Sequence, residues 1–294
     1  MKLMSFGLIG LSLAVAGSTL AAAQDAASTS SVPKVLQITR EYIKPYKAGA
    51  AHDKTESAFV AAQAKAKFPV YYIALDSQSG RSRALFLTRY NSFAEWEKYD
   101  KAADANASLS AEMERAGLAD GELLDELDSY VFTYDADLSY HPHDDLQNHR
   151  VYQIAVFKVR LGHDHEWHEL TKMVKDAHDK AGDSAHWGMY QAAFGDDDGT
   201  YIALTGDPSM SAIDTYFSED KKFVEAVGGE DAMSKLDKLY GDCVESARTE
   251  LFTVNPKQSY VSEEWIKADP SFWKPKAGAS QSIAKPAPPA KSGE

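Results

Sequence analysis

Between residues 33 and 263 the apolar positions fall into two matching series. Each opens on a strand-like run, 35–43 and 151–159, in which apolar residues alternate or follow one another directly. A helical stripe comes next. In the second series Trp167, Leu170, Met173, Val174 and Ala177 recur at steps of three and four, and in the first His52, Thr55, Phe59 and Ala62 do so with smaller side chains. Two further strand-like runs then flank a turn rich in Gly, Asp and Ser: 70–75 and 84–88 in the first series, 187–194 and 201–205 in the second. A second helical region follows (92–104 with 109–128; 211–217 with 221–248), with Ser92 and Ser211 standing where N-caps are expected. A last strand closes each series at 128–135 and 248–254.

Identities recur in order between the two series. Val35-Leu-Gln-Ile38 answers to Val151-Tyr-Gln-Ile154 at a spacing of 116. Leu87-Thr88 answers to Leu204-Thr205 and Tyr99 to Tyr216 at 117, while Phe132-Thr133 answers to Phe252-Thr253 and Ser139-Tyr140 to Ser259-Tyr260 at 120. A slow drift in spacing is what loops of slightly different length produce after a duplication. The order β-α-β-β-α-β in each half is the ferredoxin-like pattern, whose sheet has one face covered by helices and one bare. The expected fold is therefore α+β: two tandem ferredoxin-like units, 33–140 and 150–263, joined by a linker at 141–149 and packed sheet to sheet as a pseudo-dimeric barrel.

The ends differ from this pattern. Met1-Lys2, an apolar run over 6–16 and Ala21-Ala22-Ala23 read as a signal peptide over 1–23, too short in its apolar part to span a bilayer. Residues 24–32 read as a flexible leader, and 264–294 as an extension that is Pro-, Ala- and Lys-rich and disordered from about 275. The expectation is an exported protein, periplasmic or extracellular, with no membrane insertion and a tail able to contact a cell wall. The formal charge of −13 opposes binding to nucleic acid or anionic lipid. A lone Cys243 rules out an internal disulfide and is either a buried apolar residue or a reactive thiol.

The opening strand 35–40 running into Ile43-Lys44-Pro45, the helix behind it, and Phe86-Leu87-Thr88-Arg89-Tyr90-Asn91-Ser92-Phe93-Ala94-Glu95-Trp96 carry a resemblance. Over residues of about 33–263 the chain resembles the dimeric α+β barrel superfamily, which includes antibiotic-biosynthesis monooxygenases, haem-degrading monooxygenases and NIPSNAP-like proteins. The resemblance implies a ligand space between helices and sheet. It lacks a match to the Asn, Trp and His set of the haem-degrading members. A fold of this kind does not fix a reaction.

Candidate chemistry rests on a few residues. His52 takes the stripe position of Trp167, facing the sheet, and is either an acid–base or haem- or metal-ligating residue or a hydrogen-bonded histidine at the core edge. Arg40 and Tyr42 share a strand face with Leu36 and Ile38; Arg40 either holds an anionic ligand or pairs with a carboxylate of the other sheet. His186, Gly188 and Tyr190 share a face in the second hairpin, giving His186 and Tyr190 as further ligand-binding candidates. His165 and His168 are the metal candidates, on a helix face expected to be wet. Nucleotide-binding, serine-hydrolase and zincin motifs are absent. The functional expectation is a small organic ligand in a pocket, no obligatory cofactor, and an open cavity in the first half alone, where the stripe is small. The alternatives are a cofactor-independent monooxygenase or haem-handling enzyme using His52 and Arg40, and a non-catalytic envelope protein.

Overall fold

A computed structural model describes residues 32–143 and 145–274. The segments read as signal peptide and Pro- and Lys-rich tail, and all of the leader but Val32, lie outside the described residues. The first half runs β1 (Val35–Ile43), α1 (Ala50–Ala66), β2 (Tyr72–Ser77), β3 (Arg83–Tyr90), α2 (Phe93–Asp104), α3 (Ala107–Gly121) and β4 (Leu124–Tyr140). The second repeats that order with β5 (Val151–Val159), α4 (Asp164–Ala181), β6 (Trp187–Phe194), β7 (Thr200–Asp207), α5 (Ser211–Val227), α6 (Glu230–Cys243) and β8 (Val244–Val254). Two short helices, α7 (Glu263–Ala268) and α8 (Pro270–Trp273), follow.

All eight strands form one closed antiparallel barrel in the order β1-β3-β2-β8-β5-β7-β6-β4. The halves meet by hydrogen bonds along the β2–β8 and β4–β6 seams, so they do more than stack bare faces: closure leaves no unpaired strand edge. A bulge falls at the same relative place in each half, after Tyr42 and after Lys158. The last strands start earlier than the pattern of apolar residues indicated. Helix α3 stops at Gly121 and α6 at Cys243, and the chain re-enters the sheet at Leu124 and Val244. Ser92 caps α2 by accepting from the Glu95 amide, whereas Ser211 is already inside α5 and Met210 holds the cap position.

Period-two alternation decides what each strand side chain meets. Leu36, Ile38, Leu75, Leu87, Phe132, Ile154, Tyr190, Ile202 and Phe252 fill the barrel interior. Trp265 of α7 and Trp273 of α8 belong to the same core, so residues 263–273 plug one end of the barrel. Near the opposite end, ion pairs Arg40–Asp128 and Arg83–Glu250 bring charged groups inward in matched pairs. The other strand faces carry the helices. Among the described residues no helix is long and apolar enough to cross a membrane.

Candidate functional site

Among the described residues, a cavity lies between helices and sheet in the second half. It has a volume of about 510 Å³ and is walled by Trp167, Leu170 and Val174 of α4, by Trp187 and Met189 of β6, by Phe223 of α5, and by Leu236 and Tyr240 of α6. The expectation of an open cavity in the first half is overturned. There the corresponding space is occupied by Glu41, His52, Glu56 and Asp120, all buried. The charged side chains of β1, α1 and α3 meet one another in the first half, whereas the rings of α4, β6 and α5 stand around an apolar void in the second.

One polar pair stands out on the cavity wall. His178, in the last turn of α4, places Nδ1 2.7 Å from Asp183 Oδ2, and the Asp183 side chain is only 4% exposed. The pair forms because Gly182 ends the helix in the left-handed conformation (φ 59°), turning the chain so that Asp183 folds back under the last helical turn. In the tautomer that donates from Nδ1 to the carboxylate, the His178 imidazole offers the Nε2 lone pair. Phe223, Tyr140 and Trp187 surround the ring at centroid distances of 4.5, 5.9 and 5.7 Å. Tyr216 also lines the cavity and donates to Asp207 Oδ1 at 2.7 Å; burial and that carboxylate push its phenol well above the ordinary range.

The cavity adjoins a second space of about 410 Å³ edged by His141, His143, Asp183, His186, Asp207 and Tyr216. His186 belongs to both. Its two ring nitrogens stand 3.1 Å from the carbonyls of Ser184 and Gly206, and His143 stacks on it at 3.8 Å. With both ring nitrogens turned to backbone carbonyls and a ring stacked on its face, His186 is held as a wall residue.

The residues singled out from sequence do not converge. Arg40 and His52 cannot serve one pocket, since Arg40 points into the barrel and His52 packs on the helix-facing side of the same strand, against Glu41 at 2.9 Å. Arg40 is satisfied by both oxygens of Asp128 (2.9 and 2.8 Å), by the Tyr130 hydroxyl, and by the faces of Tyr42 and Tyr130. Its carboxylate partner comes from the neighbouring strand of its own half, not from the other half. His186 and Tyr190 are also separated: Tyr190 lies in the barrel, 5.4 Å from Tyr134, and these two rings take the space beside Gly188. His165 and His168 are exposed on α4 and belong to neither of the ligand clusters found among the described residues. The pair the sequence reading missed is His178–Asp183, whose only signal was a Gly–Asp step closing an amphipathic helix that carries a histidine in its last turn.

No family model matches the chain, and no curated protein resembles it in sequence. Solved structures do resemble it. An anthrone oxidase-like protein is 12% identical with a TM-score of 0.50, covering 79% of this chain and 96% of its own. A candidate monooxygenase of Fusobacterium nucleatum subsp. nucleatum is 12% identical with a TM-score of 0.49, over 75% and 91%. A mutant chlorite dismutase of Candidatus Nitrospira defluvii in complex with cyanide is 11% identical with a TM-score of 0.43, over 78% and 93%. At such identities the likeness establishes the fold alone, a ferredoxin-like α+β barrel.

Proposed function

We propose that this chain is an enzyme that binds a small, largely apolar organic molecule in the helix–sheet cavity of its second half and oxidises it with O₂, His178 acting as base. The observation that carries the proposal is a single one: an apolar cavity whose wall holds an imidazole oriented by a buried carboxylate. His178 would take a proton from an activated CH₂ of the substrate, and the resulting carbanion would add O₂. Loss of water from the protonated peroxide, with removal of the second C–H proton, gives the ketone. One R₂CH₂ and one O₂ thus yield one R₂C=O and one H₂O. Asp183 stabilises the imidazolium formed in the first step. The anthrone oxidase-like neighbour supports this choice of chemistry and supplies the probe, anthrone.

Haem is the cofactor that the resemblance raises. His178 is the residue that would hold its iron, through the ring nitrogen turned away from Asp183. The rest of the wall does not suit a haem: Asp183, Glu219 and Asp220 line the cavity with no Lys or Arg among the described lining residues, so the propionates would meet only like charge. The proposal therefore stands on a neutral or cationic substrate without haem.

The same proposal takes the chain as the fusion of two dimeric α+β barrel units over 33–140 and 150–263, akin to antibiotic-biosynthesis-monooxygenase and NIPSNAP-like domains. It also takes the chain as exported after loss of residues 1–23, with the tail free to touch a cell wall. The test is oxygen uptake with anthrone by the mature full-length protein. Uptake that falls at least tenfold in His178→Ala and Asp183→Asn supports the proposal. Quenching of tryptophan fluorescence by anthrone without oxygen uptake would instead favour a non-catalytic binding protein, and the absence of both quenching and uptake would refute a ligand site here.

A further inference from the structure

The first half uses the same helix–sheet space in a different way. Glu41 projects from the helix-facing side of β1, His52 and Glu56 stand four apart on one face of α1, and Asp120 comes from the end of α3. All four are nearly inaccessible, at 8, 0, 3 and 2% exposure. One donor atom from each lies within 4.8 Å of the other three. We propose that Glu41, His52, Glu56 and Asp120 form a binding site for one divalent first-row transition-metal ion, with Mn²⁺ and Fe²⁺ best matched and Zn²⁺ the competitor.

Several independent features point to a cation. Three carboxylates share one sealed space, and among the described residues no Lys or Arg forms an ion pair with any of them. One imidazole set against three buried carboxylates leaves negative charge uncompensated, which is costly, and a positive ion removes that cost. Glu56 Oε1 is fully buried and has no hydrogen-bond partner at all. Donors about 2.1 Å from a common ion stand roughly 3 to 4 Å apart, so the observed cluster needs only a slight contraction. His52 Nε2 is already 2.9 Å from Glu41 Oε2 and 3.6 Å from Asp120 Oδ1.

The duplication supplies an internal control. At the equivalent places in the second half stand Phe157, Trp167 and Thr171, and the rings of Phe157 and Trp167 meet at 5.1 Å where Glu41 meets His52 in the first. In the second half the fold stands with apolar rings around an open cavity here, so the charges of the first half are not a requirement of its packing. The surroundings resemble an outer shell. Thr55 donates to Asp120 Oδ1 at 2.5 Å, and the amide of Gln258 stands 3.2 Å from His52 Nδ1. Metal at Nε2 moves the ring proton to Nδ1, where Gln258 must present its oxygen; this breaks its 3.0 Å bond to Asp53, which keeps Asn255 and Lys257.

Ion choice follows from donor chemistry. One imidazole with three carboxylates suits Mn²⁺, Fe²⁺ or Zn²⁺, and the absence of thiolate removes any bias to softer ions. Ca²⁺ wants six to eight oxygens and Mg²⁺ keeps several waters, and a space this enclosed favours neither. Ligand atoms must be free of protons to hold the ion, so binding should strengthen as the pH rises.

The experiment uses the full-length mature protein, freed of metal by chelator and titrated with MnCl₂, anaerobic Fe²⁺ or ZnCl₂ alone. Calorimetry and elemental analysis should give one ion per chain, with affinity rising with pH. Glu56→Gln and His52→Gln should each weaken binding about tenfold or more while the circular dichroism spectrum is kept. His143→Ala is the control, because His143, Asp145 and His149 form another close group. Should both cluster variants unfold, X-ray absorption of the loaded wild type decides, one nitrogen with the rest oxygen being expected. Folded wild type that binds no ion at millimolar metal, undiminished binding in both cluster variants, loss of binding in His143→Ala, or two or more nitrogens in the metal shell would each overturn the site.

Discussion

Acidification should remove stability from this protein through one imidazole in particular, that of His149. The residue is 3% exposed, and its Nε2 has no hydrogen-bond partner, an Asp145 oxygen standing 3.4 Å away without adequate geometry. Burial is the main cause that lowers its pKa from 6.5 to about 4; Asp145 and Asp207 pull it up, while His143 and His186 push it further down. Folding thus requires a neutral ring. Above pH 6.5 both states are neutral and the contribution is complete. As the pH falls from 6.5 towards 4 the unfolded chain takes up a proton that the folded chain refuses, so stability falls with the pH. The slope approaches 1.4 kcal/mol per pH unit and the total loss is about 3 kcal/mol. His52 works in the opposite sense: although burial disfavours its charge, Glu41 and Asp120 raise its pKa overall, so a bulk stability curve mixes the two. The measurement is therefore site-resolved. Imidazole ¹³C–¹H resonances of His149 should titrate near pH 4, and the difference in urea-unfolding free energy between wild type and His149→Asn should shrink across the same window. A His149 midpoint at pH 6 or above, or parallel stability curves for the two proteins, would refute the reasoning.

Three further outcomes are expected. Ala203→Phe, on the cavity wall, should fill the void of the second half, raise stability by about 1–3 kcal/mol in urea unfolding, and abolish quenching by anthrone. Gly206→Ala would set a methyl 2.1 Å from His149 Nδ1, where a rigid ring cannot yield, and should cost about 1–3 kcal/mol by the same assay. Trp265→Ala, removing part of the barrel plug, should cost about 3–5 kcal/mol; an effect below about 1 kcal/mol would mean that α7 does not seal the core.

Much of the frame was written in local pattern. Alternation alone placed Leu36, Ile38 and Arg40 on one face of β1, and the recurrence of Val-x-Gln-Ile at 116 residues announced that the second half repeats the element order of the first. Local rules also fixed the Ser92 cap and the turns at Gly80 and Gly199, both with positive φ. These features depend on neighbours a few residues apart, which is the range over which a sequence can be read directly.

The site was not legible in that way. Side-chain size along α1 and α4 was visible, but which half keeps a cavity depends on what several elements bring to the same space, and here it is the half with the larger side chains. Glu41 and Asp120 are 79 residues apart and meet only because α3 ends beside α1. Trp265 and Trp273 looked like the start of a tail until the barrel offered an open end to fill. The sequence by itself determined which residues face which side of each element. Only tertiary structure decided the distances between elements, because close packing is a collective balance over the whole interior that no local run of residues encodes.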